Sequence, residues 1–224
     1  MNSKEPKAIN LEGRDLNYNP ELEENAERLF KAPCNFVIGT TDYAIFPSCD
    51  IPEFAFIGRS NVGKSSLLNA LVNQKGLARV SVTPGRTQQV NFFQLGSNIR
   101  LVDLPGYGFA KAPKNLVKSW ERMSVGYLKN RINLKRLFLL IDARHGFKAN
   151  DLEFMQQLDK HAINYQVVLT KLDKTNKEQI QSIISFAKED RINHASMFPD
   201  IILTSSKKKN GIMDLRTYIY NANQ

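Results

Sequence analysis

A chain of 224 residues, 42% hydrophobic and 24% charged, has the size and make-up of one globular α/β domain with a substantial core. No run approaches the ~18 apolar residues of a membrane-spanning helix, and the N-terminus Met1-Asn2-Ser3-Lys4-Glu5-Pro6-Lys7 lacks the apolar stretch of a secretory signal, so a cytoplasmic protein is expected. Cys34 and Cys49 are too few for a protein-only zinc site and are expected as free thiols, while a net charge of +9, from 31 basic and 22 acidic side chains, favours an anionic partner such as nucleic acid.

Residues 1–20 are polar and poorly patterned and read as a mobile tail, which leaves 21–224 as a single domain. Pro20-Glu21-Leu22-Glu23-Glu24-Asn25-Ala26-Glu27-Arg28-Leu29-Phe30 reads as a short helix with an acidic first turn and with Leu22, Ala26, Leu29 and Phe30 on one face. From about residue 35 strands and helices alternate. Strands are predicted at Asn35–Gly39, Glu53–Ile57, Val90–Leu95, Asn98–Val102, Arg136–Ile141, Gln166–Leu169 and Asp200–Leu203. Helices are predicted at Lys64–Asn73, Leu116–Lys129, Ala149–His161, Lys177–Asp190 and Gly211–Asn221. This alternation predicts a three-layer α/β fold around a mostly parallel six- or seven-stranded sheet covered on both faces. The turn Gln94-Leu95-Gly96-Ser97-Asn98 joins two neighbouring strands and predicts one antiparallel hairpin at a sheet edge.

Between the second strand and the helix that follows, Gly58-Arg59-Ser60-Asn61-Val62-Gly63-Lys64-Ser65, with Ser66 behind it, matches the phosphate-loop pattern G-x-x-x-x-G-K-[ST] in the context that pattern requires. Glycine lets the backbone wrap closely enough for its N–H groups to point at phosphate oxygens, and the helix adds its positive N-terminus. Lys64 is then placed for β- and γ-phosphates, and the Ser65 hydroxyl for Mg²⁺.

Asp103-Leu104-Pro105-Gly106 closes a strand, and a carboxylate at a strand's C-terminal end faces the crevice where such sheets bind ligands. Asp103 is expected to hold Mg²⁺ through a water, and the Gly106 amide to sense a γ-phosphate. Thr83-Pro84-Gly85-Arg86-Thr87 lies in a long polar connection of the kind that carries function in a compact domain. Thr87 is the third candidate Mg²⁺ ligand, released when the γ-phosphate leaves. Each of these signals is weak alone and gains weight from its position behind the phosphate loop.

Thr170-Lys171-Leu172-Asp173 ends another strand. An aspartate there accepts from the N1–H and the amino group of guanine, whereas adenine leaves it desolvated and unpaired. The Lys171 stem is placed to cover the base, and the Ser206 amide, in Thr204-Ser205-Ser206, to donate to guanine O6.

In order along the chain, GRSNVGKSSLLNAL at 58–71, PGRTQQVNFF at 84–93, VDLPGYGFA at 102–110, TKLDK at 170–174 and TSSKKKNG at 204–211 resemble the EngB (YihA/YsxC) family of bacterial ribosome-biogenesis GTPases, over about residues 20–220. The resemblance implies a small-GTPase-like P-loop NTPase fold, GTP and GDP binding with Mg²⁺, a role in assembly of the large ribosomal subunit, and a link to cell division and septation. Thr170 stands where the general N-K-x-D signature has asparagine, which removes a side-chain amide contact and implies modest affinity. Tyr107 stands where many switch GTPases carry the water-orienting glutamine, so slow intrinsic hydrolysis is expected, with Gln88 and Gln89 as distant substitutes. Asn61 stands where potassium-activated relatives ligate K⁺, a cation that offsets transition-state charge. Lys64, Thr87, Gly106 and Asn61 are therefore the residues expected to bear on hydrolysis.

Lys111, Lys114, Lys118 and Arg122, then Lys129, Arg131, Lys135 and Arg136, and finally Lys207-Lys208-Lys209 gather positive charge along segments flanking these motifs. Solvated helix faces account for such spacing too; the resemblance tips the reading toward ribosomal RNA phosphates in a large-subunit precursor, bound by a monomer. Phe92, Phe93, Tyr107 and Phe109 are candidates for a switch-side contact surface, with Phe92 or Phe93 alternatively core. His145, His161 and His194 are too scattered for a metal site or a triad. Two other classes compete with a hydrolysing switch: a P-loop kinase and a GTP-binding module without turnover.

Overall fold

In the computed structural model, which describes residues 8–12, 19–78, 89–108 and 123–224, the apolar runs become the strands of one sheet. They are β1 (Ala8–Asn10), β2 (Cys34–Thr40), β3 (Glu53–Gly58), β4 (Val90–Leu95), β5 (Ile99–Asp103), β6 (Leu134–Asp142), β7 (Tyr165–Thr170) and β8 (Asp200–Leu203). The helices are α1 (Pro20–Phe30), α2 (Lys64–Leu71), α3 (described over residues 123–130), α4 (Ala149–Lys160), α5 (Lys177–Asp190) and α6 (Ile212–Ala222). The eight strands lie in the order β1-β8-β7-β6-β3-β5-β4-β2. β5, β3, β6, β7 and β8 run parallel, and β1, β4 and β2 add antiparallel pairings.

Alternation along the strands sorts side chains to two cores. Ala55, Ile57, Leu137, Leu139, Val167 and Leu169 pack with Tyr127 of α3, Phe154 and Leu158 of α4, and Ile183 of α5. Phe54, Phe56, Phe138, Leu140 and Val168 face the other way, onto Leu67, Leu68 and Leu71 of α2, Leu215 and Ile219 of α6, and Phe30 of α1. With helices on both faces, β3, β5 and β7 have no exposed residue, which is why they read as continuous apolar runs. The α1 helix starts as its sequence predicts: the Asn19 side chain accepts from the amides of Glu21 and Leu22, and Pro20 occupies the first turn.

The α/β class holds, and three details differ from expectation. Within the first twenty residues, Ala8–Asn10 pairs antiparallel with β8, and the Asn10 side chain donates to Asp200 at 2.5 Å. A three-residue strand is too short to show a period, and its addition brings the strands among the described residues to eight. The hairpin β4–β5 forms through Leu95↔Ile99 but is not at the edge, because β2 pairs outside β4 from Cys34↔Leu95 to Thr40↔Val90. The α2 helix stops at Leu71, and Asn73 turns the chain with a φ of 51°. The first part of the helix predicted at Leu116–Lys129 lies outside the described residues.

At the end of the sheet away from the phosphate loop, Glu53 opens β3 with no exposed surface. It accepts from Tyr127 Oη at 2.7 Å, from Arg131 Nε at 2.9 Å and from a second Arg131 nitrogen, with an Arg100 nitrogen 3.6 Å away. This buried charge cluster ties α3 to the sheet.

Candidate nucleotide-binding site

The loop Gly58–Gly63 leaves the C-terminal end of β3 and delivers the chain into α2 at Lys64. Gly58 is required by close approach: a Cβ there would lie 2.7 Å from the Leu140 carbonyl oxygen of the neighbouring strand. Gly63 caps α2 with a φ of 106° and Asn61 turns at 63°, both in the left-handed region. No side chain caps α2, so its first amides are not consumed by a local acceptor.

Lys64 Nζ meets the Asp103 carboxylate, and both side chains are largely buried. Asp103 ends β5 beside Phe56 of β3, so strand pairing alone brings this acid to the foot of the phosphate loop. Gly106 follows two residues past Pro105's predecessor, Leu104, whose amide donates to the Phe56 oxygen at 3.0 Å. A Cβ on Gly106 would fall 2.7 Å from the Gly58 oxygen, so this glycine backbone lies against the phosphate loop itself. Ser65 and Ser66 occupy the first turn of α2, Ser65 half-buried and Ser66 exposed. Gly85, Arg86 and Thr87 lie outside the described residues.

Tyr107 is buried at 3% exposure and faces the protein interior. Its hydroxyl donates to Asp151 Oδ1 at 2.8 Å and its ring stacks on Phe154 with centroids 4.6 Å apart. Phe92 and Phe93 are buried as well, so these three aromatics are core and not a contact surface; Phe109 lies outside the described residues. Gln89 is exposed with its Oε1 beside Gly39 of edge strand β2, and Gln88 lies outside the described residues.

The third segment is fastened to the first. Thr170 Oγ1 donates to the Val62 oxygen at 2.7 Å. Lys171 adopts a φ of 60° and sends Nζ back to the Asn61 oxygen at 2.5 Å and to Asp142 Oδ2 at 2.9 Å. Asp173 Oδ1 accepts from Ser205 Oγ at 2.6 Å, and Ser205 Oγ in turn accepts from the Lys208 amide at 3.1 Å. Thr204 is buried, with its amide and hydroxyl both on the Leu169 oxygen, at 2.7 and 2.8 Å. Ser206 follows in a half-exposed turn closed by the Ser205 amide on the Asn210 oxygen at 3.0 Å.

Two acids were not singled out in the sequence. Asp142 ends β6 as Asp103 ends β5, the same strand-end signal that marked Asp103. Burial would raise its carboxyl, but hydrogen bonds from Arg144 and Lys171 prevail and hold it at about 2. Asp151, in the first turn of α4, accepts from Arg59 Nε at 3.0 Å as well as from Tyr107. Ser205, a candidate binding residue of the Thr204-Ser205-Ser206 segment, turns its side chain to Asp173.

Among the described residues no group of three His, Cys, Asp or Glu gathers as a metal cluster. His194 is buried, with Nδ1 on Asp159 at 2.5 Å and Nε2 3.3 Å from Asp190, a structural tie between α4 and α5. Cys34 and Cys49 are free, and no described helix is long and apolar enough to cross a membrane.

A glycine-wrapped loop after β3, with a strand-end acid at its foot and a lysine from a third loop pinned to its backbone, places this fold among the P-loop GTPases. A sequence model of the family described as 50S ribosome-binding GTPase matches residues 53–171. The probable GTP-binding protein EngB of Cereibacter sphaeroides is 47% identical over 204 residues, covering 89% of this chain and 94% of that one. Its namesake in Caulobacter vibrioides is 46% identical over 202 residues, covering 90% and 88%. The crystal structure of a probable GTP-binding protein engB superposes with a TM-score of 0.61 at 26% identity, over 76% of this chain and 98% of that one. Era in complex with MgGDPNP and nucleotides 1506–1542 of 16S ribosomal RNA shares the fold, with a TM-score of 0.60 at 23% identity over 76% of this chain and 56% of that one. The chain belongs to the EngB family of GTP-binding proteins.

Proposed function

We propose that this protein is a monomeric cytoplasmic switch that hydrolyses GTP slowly and whose GTP state engages a precursor of the large ribosomal subunit, with cell division as the downstream process. The observation that carries the nucleotide reading is the pairing of Asp173 with Ser205 while Lys171 is bonded to the Asn61 oxygen. The acid that discriminates guanine and the loop that cradles phosphates thereby form one rigid unit. In that unit Gly58–Ser66 wraps the phosphates, Lys64 faces the β- and γ-phosphates, and Gly106 senses the γ-phosphate. Thr204 and Ser205 brace the base loop, and the Ser206 amide faces O6.

Asp103 at the foot of the loop and the Ser65 hydroxyl in the first turn of α2 would hold Mg²⁺, since oxygen donors suit a hard cation; Thr87 is the third candidate. When bound, Mg²⁺ neutralises phosphate charge. Lys64 is held beside Asp103, so the acid that would hold the metal also positions this lysine. Slow turnover follows from Tyr107, whose hydroxyl is committed to Asp151 and cannot orient a water. The same commitment supports a second reading, a GTP-binding module without turnover.

Ribosome engagement draws on the description of the matching family and on the basic surface. Lys207, Lys208 and Lys209 are exposed in the turn beside Asp173 and Ser205, so a phosphate-rich partner can contact the nucleotide rim directly. Sedimentation with ribosomal subunits under GDP, GTP and a non-hydrolysable analogue tests this. Co-sedimentation with large subunits in the GTP and analogue states only, weakening as salt rises, is expected; equal binding in all states refutes the switch. Phosphate release in single turnover separates the two readings, and ADP formation with a phosphorylated acceptor would reveal a kinase.

A further inference from the structure

Asp151 sits in the first turn of α4 with no exposed surface. Its Oδ2 accepts the Lys148 amide at 2.8 Å, the reach-back half of the helix's capping box. That local duty needs one oxygen and no burial. The other oxygen does something a cap does not require: Oδ1 accepts both Tyr107 Oη, at 2.8 Å, and Arg59 Nε, at 3.0 Å.

These two donors come from the two segments that meet at the phosphates. Arg59 follows Gly58 in the phosphate loop, and Tyr107 follows Gly106. The two residues also form a parallel bridge. Between them, the Gly106 backbone is pressed on the Gly58 carbonyl so closely that a Cβ would come within 2.7 Å. On the far side, a Cβ on Gly108 would come 2.8 Å from Asn150 Nδ2, so the segment is held against α4 along its length. The Tyr107 ring, stacked at 16° on Phe154, holds its hydroxyl oxygen 2.8 Å from Asp151 Oδ1. Burial raises the Asp151 carboxyl above its ordinary range, with bonds from the Lys148 amide, Tyr107 and Arg59 pulling the other way; such a desolvated acid is costly for a cap alone.

We propose that Asp151 is a positioning residue for the GTP state: through Tyr107 and Arg59 it fixes the Gly106 backbone beside the phosphate loop, so that a γ-phosphate is met by a preplaced amide. This rests on the GTP-binding reading given above. GDP makes no call on Gly106, so losing the latch lowers affinity for the triphosphate and spares the diphosphate. The coupling also runs outward: displacement of Gly106 is transmitted to α4 through Tyr107 and Phe154.

Calorimetry with GDP and with a non-hydrolysable GTP analogue, in Mg²⁺, on wild type, Tyr107→Phe and Asp151→Asn tests it. Tyr107→Phe keeps the stacked ring and removes only the hydroxyl; Asp151→Asn keeps the size and an acceptor. Each is expected to weaken the analogue about tenfold and GDP by less than about twofold. Tyr127→Phe makes the same chemical change at the opposite end of the sheet, where the hydroxyl meets buried Glu53 at 2.7 Å, and leaves the ratio of the two affinities unchanged. Parallel loss of both ligands, or no change in either, shows that Asp151 is only structural and overturns the proposal. A wild-type protein that binds GDP but not the analogue overturns it as well, while one that binds neither defeats the nucleotide-site reading itself.

Discussion

Thr170 donates its hydroxyl to the Val62 oxygen at 2.7 Å, and the same hydroxyl lies 3.3 Å from the Ile141 oxygen, so a threonine joins the loop after β7 to the phosphate loop. Its substitution for asparagine thus changes the chemistry of the contact and keeps the tether. Thr170→Val keeps the shape and strands the buried Val62 oxygen, a cost of about 1–3 kcal/mol. GDP and GTP analogue affinities are expected to fall together by roughly tenfold. Calorimetry checks this, and a loss confined to the triphosphate contradicts it.

Asp173 and Ser205 make the next prediction. Asp173→Asn exchanges an acceptor for a donor opposite the guanine amino group and abolishes guanine preference in competition against adenine nucleotides. Ser205→Ala frees the carboxylate, which accepts that hydroxyl at 2.6 Å, and weakens GDP about fivefold while selectivity survives. Unchanged guanine preference in Asp173→Asn sinks the assignment of that acid.

Asp142 links pH to stability. Its carboxyl is held at about 2, below the ordinary 3.8, so folding favours the ionised form. The stabilisation is fully present above roughly pH 4 and drains away as pH falls toward 2, on the order of 2 kcal/mol in all. Asp142→Asn removes it at neutral pH and flattens the acid limb. Urea midpoints at pH 7 and about pH 2.5 test the sign: the gap between variant and wild type should close in acid.

Glu53 at the far end of β3 is a stability residue. Glu53→Gln leaves Arg131, 8% exposed at its side chain, facing a neutral amide. A loss of about 3–5 kcal/mol is expected in urea unfolding, with GDP affinity of the folded protein unchanged. A loss below about 1 kcal/mol shows that the buried pair is compensated elsewhere.

Asn61 carries the cation prediction. Its backbone oxygen accepts from Lys171 Nζ and the residue is exposed in the phosphate loop. Turnover in K⁺ is expected to exceed turnover in Na⁺ at matched ionic strength, and Asn61→Ala to erase the difference. Equal rates in both salts rule this role out.

What the chain announced by itself was local. Apolar runs marked β4, β8 and α5 to the residue, because a strand covered on both faces leaves a short apolar run and a helix with one buried face leaves a period of 3.6 in the sequence. The phosphate loop was legible for a related reason: its function is a backbone shape, and Gly58, Gly63 and Lys64 set that shape within seven residues. The strand order carries no such mark, so neither the place of β2 outside the hairpin nor the attachment of β1 was visible.

The acids divide along the same line. Asp103 and Asp173 stood out as candidates because each belongs to a short motif at the end of a strand. Asp151, Asp142 and Glu53 each take a donor from a distant segment, 92, 29 and 78 residues away, namely Arg59, Lys171 and Arg131, although Asp142 is also held by its near neighbour Arg144. A buried carboxylate is defined by the donors that replace its water, and only packing of distant segments chooses those donors. The sequence alone determined that this chain folds a phosphate-binding turn in an α/β sheet; the tertiary structure decided that Tyr107 faces inward to Asp151 and that Lys171 ties the loop after β7 to the phosphate loop.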